Sequence, residues 1–289
     1  MNYHTKADEY YFKASMPSSE TERILYEDCL EKELSVKTIY MYMFGIKLFR
    51  RWFGDEFTKQ NGLAFKSRLL TEGSKPKTVN LRLLAFNRYM ELIGHPERKV
   101  RSLKEPRVRS VENVITEEEF KKLSKSLLND GKLNEYWMVQ FLGKTGCRIS
   151  ELIQFKKEHL DKGTAVIFNK GRDREVYIPK QLIDESREYF ESVDSDWLFF
   201  VQNARKNRPI TARGASQRLV RASKNYGIRK EVMHPHSFRH FFALMMMKET
   251  KDISLVSDLL NHSSLSTTQI YLRQSKEEQL RRLDESIKW

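Results

Sequence analysis

Two cysteines in 289 residues, Cys29 and Cys147, leave no room for a disulfide framework and supply too few ligands for a structural zinc site. Long apolar runs are missing too. The longest near-continuous one, Phe241 to Met247, falls far short of the ~18 residues that span a bilayer. No charged-then-apolar signal segment opens the chain, so no membrane or export step is expected. Nor is there an internal repeat, a low-complexity tract or a Gly-x-x-x-x-Gly-Lys phosphate loop. What remains is a reduced, soluble chain whose length predicts two domains.

Acid is the other thing in short supply, and its absence is local. The chain carries 52 Lys+Arg against 39 Asp+Glu, a formal charge of +13. Trp197 to Lys230 holds no Asp or Glu but nine basic residues, among them Arg205, Lys206, Arg213 and Arg218. Leu34 to Gly54 is also free of acid and carries Lys37, Lys47, Arg50 and Arg51. Two such stretches far apart in the chain point to a polyanion, and contact with a phosphate backbone explains them better than two solvated faces.

Residues 1–96 read as helical. Val36, Ile39, Tyr40, Met43, Phe44 and Leu48 recur at three-four spacing, Asn61 to Leu70 continues the pattern, and Thr78 to Ile93 presents a broad apolar face. Lys75-Pro76-Lys77 opens that last helix, a cationic start that opposes the helix dipole unless an anion lies near. Lys75, Lys77 and Arg82 therefore join Lys47 and Arg50 as candidate DNA contacts. Residues 97–113, basic with Pro106 and little apolar content, read as an extended linker.

From residue 114 onward a second domain is expected. Thr116 and Glu119 form a capping box, and Tyr136 to Leu142 is an apolar helix ended by Gly143 and Gly146. Ala165–Phe168 and Val176–Ile178 are β-rich runs flanking a turn over Asn169 to Asp173. Helix then continues to the C-terminus. The fold class is mainly α with a small antiparallel sheet.

Three local patterns carry chemistry. Thr145-Gly146-Cys147-Arg148 leads into a helix where Glu151, three residues on, can orient the Arg148 guanidinium. His236 and Arg239 stand together beside the stripe of Phe238, Phe241, Phe242 and Met245. Asn261-His262 follows a short helix at a position that favours left-handed backbone, and Tyr271 lies in the early turns of the next helix. A phenol with an ordinary pKa near ~10 is a poor nucleophile until cations stabilise its anion.

Taken in order, Arg148, Lys170, His236 with Arg239, His262 and Tyr271 resemble the signature of the tyrosine site-specific recombinases, the Xer-like and phage-integrase family. The resemblance covers residues 114–289. The first domain is similar to that family's core-binding domains more loosely, through its helices and the Lys77-Thr78-Val79-Asn80 start. Asn261 replaces the family's usual glycine, and Asn is the residue that next best tolerates positive φ.

The resemblance implies a helical core-binding domain, the basic linker, and an α+β catalytic domain with a C-terminal docking helix. It implies that Tyr271 attacks a DNA phosphate to give a 3′-phosphotyrosyl link and a free 5′-hydroxyl, with neither ATP nor a metal or other cofactor. Arg148 and Arg239 would clamp the non-bridging oxygens, and Lys170 would protonate the leaving oxygen, with Arg172 or Arg174 as substitutes if the turn is shifted. His236 would accept a proton near the nucleophile, His262 would bond a phosphate oxygen, and Glu151 would support. Double-stranded DNA with paired inverted sites would be the partner, bound by a homotetramer that is monomeric when free. The work would be done in the cytoplasm, at the nucleoid. A catalytically silent DNA-binding regulator of the same fold, and a type IB-like topoisomerase, are the competing readings.

Overall fold

The computed structural model describes residues 6–105, 113–169, 172–201 and 207–261, together with 268, 271, 284, 286 and 287. The chain divides into two compact units, Met1–Arg107 and Val108–Trp289. It is mostly helical, with two small antiparallel sheets where the sequence predicted one. No helix among the described residues is long and apolar enough to cross a membrane.

The first unit is built from α1 (Lys6–Ser15), α2 (Glu20–Glu31), α3 (Val36–Phe53), α4 (Lys59–Thr71) and α5 (Pro76–Leu92). Ser19, Ser35 and Thr58 cap α2, α3 and α4 through their hydroxyls. The three-four spacing read from the sequence buries Met43, Ile46 and Phe49 of α3 against Phe65 of α4 and Leu83 and Phe86 of α5.

The segment read as a linker does not start free of this unit. Asn87 donates to the Val100 carbonyl at 2.9 Å and accepts the Val100 N–H at 2.8 Å. Asn80, two turns earlier on α5, brackets Leu103 in the same way, at 3.0 and 2.7 Å. Val100 is buried in the helical core. Two side-chain amides thus replace a β-ladder and dock an extended strand on a helix, a pairing that composition does not reveal. Residues 106–112 lie outside the described set.

The second unit begins with α6 (Glu117–Asn129) and α7 (Leu133–Thr145), followed by the short α8 (Ile149–Leu152) and α9 (Lys157–Lys162). The Thr116–Glu119 capping box is present. Strands β1 (Thr164–Asn169) and β2 (Arg172–Tyr177) pair antiparallel, with Asn169 opposite Arg172. The turn is therefore shorter than expected, since only residues 170 and 171 separate the strands. Alternation sends Ala165, Ile167 and Val176 inward and leaves Val166, Phe168 and Tyr177 exposed.

Helix α10 (Lys180–Ser192) packs against α7. Strands β3 (Phe200–Val201) and β4 (Arg208–Pro209) form the second sheet, of two residues each. Three further helices, α11 (Ala212–Tyr226), α12 (Pro235–Thr250) and α13 (Ile253–Leu260), complete the described core. Helices α7 and α12 lie side by side and are apolar on most faces, so the unit is organised around them.

Candidate active site

Arg148 and Glu151 stand at the start of α8, Arg174 on β2, and His236, Arg239 and His240 in the first turns of α12. Helix α7 stops because Gly146 adopts the left-handed conformation, with φ +62°. A Cβ at Gly146 would lie 2.4 Å from Phe242 Cδ1, so both backbone sign and space demand glycine. The Thr145 hydroxyl donates back to the Phe141 carbonyl and accepts the Cys147 N–H, which sets the turn. Arg148 then enters α8 in an extended conformation.

Glu151 closes on this start. Its carboxylate takes the Arg148 N–H at 2.7 Å and the Arg148 guanidinium at 2.9 Å. The same two oxygens take Arg174 Nη1, from the inward face of β2, at 2.5 and 2.6 Å. Glu151 is wholly buried, yet its pKa stays below the ordinary carboxylate value. Burial alone would raise it, and the Arg148 N–H and the two guanidiniums outweigh that. Arg174 was read from the sequence as a possible stand-in for Lys170. Its guanidinium is instead buried and committed to Glu151 and the Leu259 carbonyl, so it cannot reach a leaving group.

Arg239 is buried among the phenylalanines rather than beside them, with only 4 % of its surface exposed. Among the described residues no carboxylate forms a salt bridge with it. Nη1 donates to the Gly146 carbonyl at 2.8 Å and Nη2 to the Leu260 carbonyl at 2.5 Å. Those carbonyls belong to the C-terminal ends of α7 and α13, where backbone acceptors lack helical partners and the dipole is negative. Two helix ends thus hold a guanidinium in place. Burial and the like charges of Arg148 and Arg174 lower its pKa to about 10, leaving it cationic at neutral pH and short of counter-charge. Asn261 ends α13 in the left-handed conformation expected of it, φ +49°, and so fixes the Leu260 carbonyl.

Helix α12 starts at Pro235, with His234 as its cap through Nδ1 accepting the Ser237 N–H. His236 sits exposed in the first turn. Tyr271 is buried to 7 % exposure and packs with Phe242, Val256 and Leu260. Burial raises its pKa to about 12, against the pull of Arg239. Its hydroxyl meets His240, a residue the sequence reading passed over because the Phe238–Phe241–Phe242 stripe absorbed that stretch. The spacing of four from His236 was the available signal.

Lys170 and His262 lie outside the described residues, as do Arg205, Lys206 and most of the tail after Tyr271. The rest of the expected DNA list divides in two. Lys75, Lys77 and Arg213 are exposed at helix starts. Lys47 instead donates to the Ala14 and Met16 carbonyls, and Arg50 pairs with Glu22 and Asp55 at 2.6 Å each. Arg218 holds Glu135 and Asn134, and Arg82 lies over the Phe44 ring. Acid-free stretches of sequence find their acids outside the stretch, on other helices (Glu22, Glu135) or in the next turn (Asp55). Among the described residues no three His, Cys, Asp or Glu side chains group to hold a metal ion.

The sequence pattern of the phage integrase family matches residues 113–278. Among curated proteins, tyrosine recombinase XerA of Thermococcus kodakarensis is 33% identical over 261 residues, covering 88% of this chain and 90% of that protein. XerA of Pyrococcus furiosus is 34% identical over 247 residues, covering 83% and 84%. Among solved structures, XerH recombinase bound to a palindromic difH substrate aligns with a TM-score of 0.72 at 20% identity, over 98% of this chain and 90% of that one. A lambda integrase dimer on a COC′ core site aligns at 0.68 and 19%, over 100% and 83%. At such identities the two structures attest the fold.

Proposed function

The chain belongs to the phage integrase family, and we propose that it cleaves and rejoins DNA at specific sites, with Tyr271 as the nucleophile. One observation supports this most directly. A buried phenol lies beside a buried, under-neutralised guanidinium, Arg239, with Arg148 next to it and Glu151 already held by Arg174. Such a site attracts a phosphodiester and stabilises the charge that builds on its oxygens.

In the proposed reaction Arg148 and Arg239 hold the non-bridging oxygens, and Tyr271 attacks phosphorus. Lys170, in the β1–β2 turn, protonates the leaving 5′-oxygen. His262 bonds a phosphate oxygen, and His236, expected from the sequence to accept the nucleophile's proton, reaches the phosphate from the exposed first turn of α12. The 3′-phosphotyrosyl link conserves the energy of the phosphodiester, so a 5′-hydroxyl from another strand can reverse the step. Glu151 keeps the Arg148 guanidinium aimed.

The helical unit and the catalytic unit bind the duplex together, Lys75, Lys77 and Arg213 contacting phosphates. Paired inverted sites, a homotetramer assembled on DNA through the segment after Tyr271, and action at the nucleoid complete the reading. Tyr271→Phe should bind its site with unchanged affinity and form no covalent protein–DNA complex on a nicked substrate. A covalent complex from that variant would overturn the assignment of the nucleophile.

A further inference from the structure

The Tyr271 hydroxyl is hydrogen-bonded to a histidine outside the family-like pattern. His240 Nδ1 lies 2.5 Å from Tyr271 Oη, and the two rings are 5.6 Å apart, tilted by 53°. His240 follows Arg239 directly on α12 and stands one turn beyond His236, with 6.4 Å between the two imidazole rings. One helix therefore presents adjacent residues to two parts of the reaction, Arg239 to the phosphate and His240 to the attacking oxygen. His236, one turn earlier, is exposed.

We propose that His240 is the proton acceptor for Tyr271 in strand cleavage, a reading that rests on Tyr271 being the nucleophile. The imidazole carries its proton on Nε2 and turns the Nδ1 lone pair to the phenol, which donates. In cleavage the Oη–H bond breaks and the proton moves to Nδ1 as the Oη–P bond forms. The P–O5′ bond breaks, its electron pair leaves on O5′, and O5′ takes a proton from the general acid, the role given above to Lys170. Religation runs the same steps backwards, the His240 imidazolium returning its proton to the departing phenol oxygen.

The surroundings of the pair make this transfer depend on substrate. Among the described residues the titratable and charged groups facing His240 are His236 and Arg239 on its own helix, His234 at that helix's cap and Tyr271 opposite. Burial first, and then those cationic or potentially cationic neighbours, depress His240 to about 4, while burial holds Tyr271 near 12. Without DNA the proton stays on the phenol. A phosphodiester seated on Arg239 cancels the charge that opposes imidazolium formation, and the second negative charge of the transition state favours it further.

The test is single-turnover cleavage of a nicked site, read as covalent complex, with DNA binding and thermal melting measured alongside. His240→Asn is the informative variant, because it keeps a hydrogen-bonding group near the Nδ1 position and cannot take a proton. His240→Ala and His240→Asn should both bind DNA normally and cleave ~10²–10⁴-fold more slowly at neutral pH. The His240→Asn rate should then climb about tenfold per pH unit, following the phenolate fraction, while the wild-type rate stays flat. His236→Ala should cleave slowly without that recovery. Near-normal cleavage by His240→Asn would reduce His240 to a structural partner, and alkaline recovery in His236→Ala alone would move the role to His236. Either result overturns the proposal and leaves the Tyr271 assignment to its own test, covalent attachment by Tyr271→Phe.

Discussion

Both carboxylate oxygens of Glu151 accept Arg174 Nη1, at 2.5 and 2.6 Å, in a site where the carboxylate has no exposure and the guanidinium 5 %. The pair ties the start of α8, which carries Arg148, to the middle of β2, three residues beyond the β1–β2 turn. One buried carboxylate thus joins the start of α8 to β2 through Arg148 and Arg174.

Glu151→Gln removes that charge and leaves the buried Arg174 guanidinium and the part-exposed Arg148 guanidinium without their carboxylate. Losing one member of a buried ion pair costs about 3–5 kcal/mol. The unfolding free energy should fall by that amount, seen as a lower denaturant midpoint with an unchanged slope, and cleavage should fall more than DNA binding. Because the folded carboxyl lies below its ordinary 4.5, its contribution is present above that pH and is lost as pH drops below it. The stability of the variant should therefore respond less steeply to acid than that of the wild type, and equal acid slopes would show that Glu151 carries no such stabilisation.

Gly146→Ala meets two separate penalties. The left-handed backbone costs a non-glycine residue about 1–2 kcal/mol, and a methyl 2.4 Å from the Phe242 ring adds roughly 1–3 kcal/mol of overpacking. The Gly146 carbonyl also holds Arg239. Thermal melting should show a loss in this combined range, and a stable variant should still cleave poorly because its Arg239 is displaced.

DNA affinity should fall steeply with salt, as expected where Lys and Arg displace counterions. Lys75→Ala with Lys77→Ala should lower the slope of log K against log salt by about two, because each lysine accounts for about one phosphate. Arg50→Ala should leave the slope unchanged and lower stability, since its guanidinium is held by Glu22 and Asp55. A slope change in Arg50→Ala would mean that those ion pairs open on DNA.

Much of the architecture was legible because it is local. The Thr116–Glu119 box, the glycine that ends α7, the Asn261 turn and the two strands of the hairpin follow from side-chain chemistry within a few residues. The order Arg148, His236, Arg239, Tyr271 was equally readable as a pattern. The linker was not, because Asn80 and Asn87 dock it through backbone hydrogen bonds that leave no mark on its composition.

The dependence on charge divides the same way. Counting acids along the chain located two basic stretches and pointed to a polyanion as partner. Which cations are free for it was decided in three dimensions, because Glu22, Asp55 and Glu135 reach Arg50 and Arg218 from other segments. The scarce cysteines and apolar runs excluded whole classes of protein, and the tyrosine with its arginines named the chemistry. Only the packing of α7, α12 and α13 placed Arg239 on two helix ends and His240 on the phenol, since burial, partner and proton affinity are properties of what surrounds a side chain.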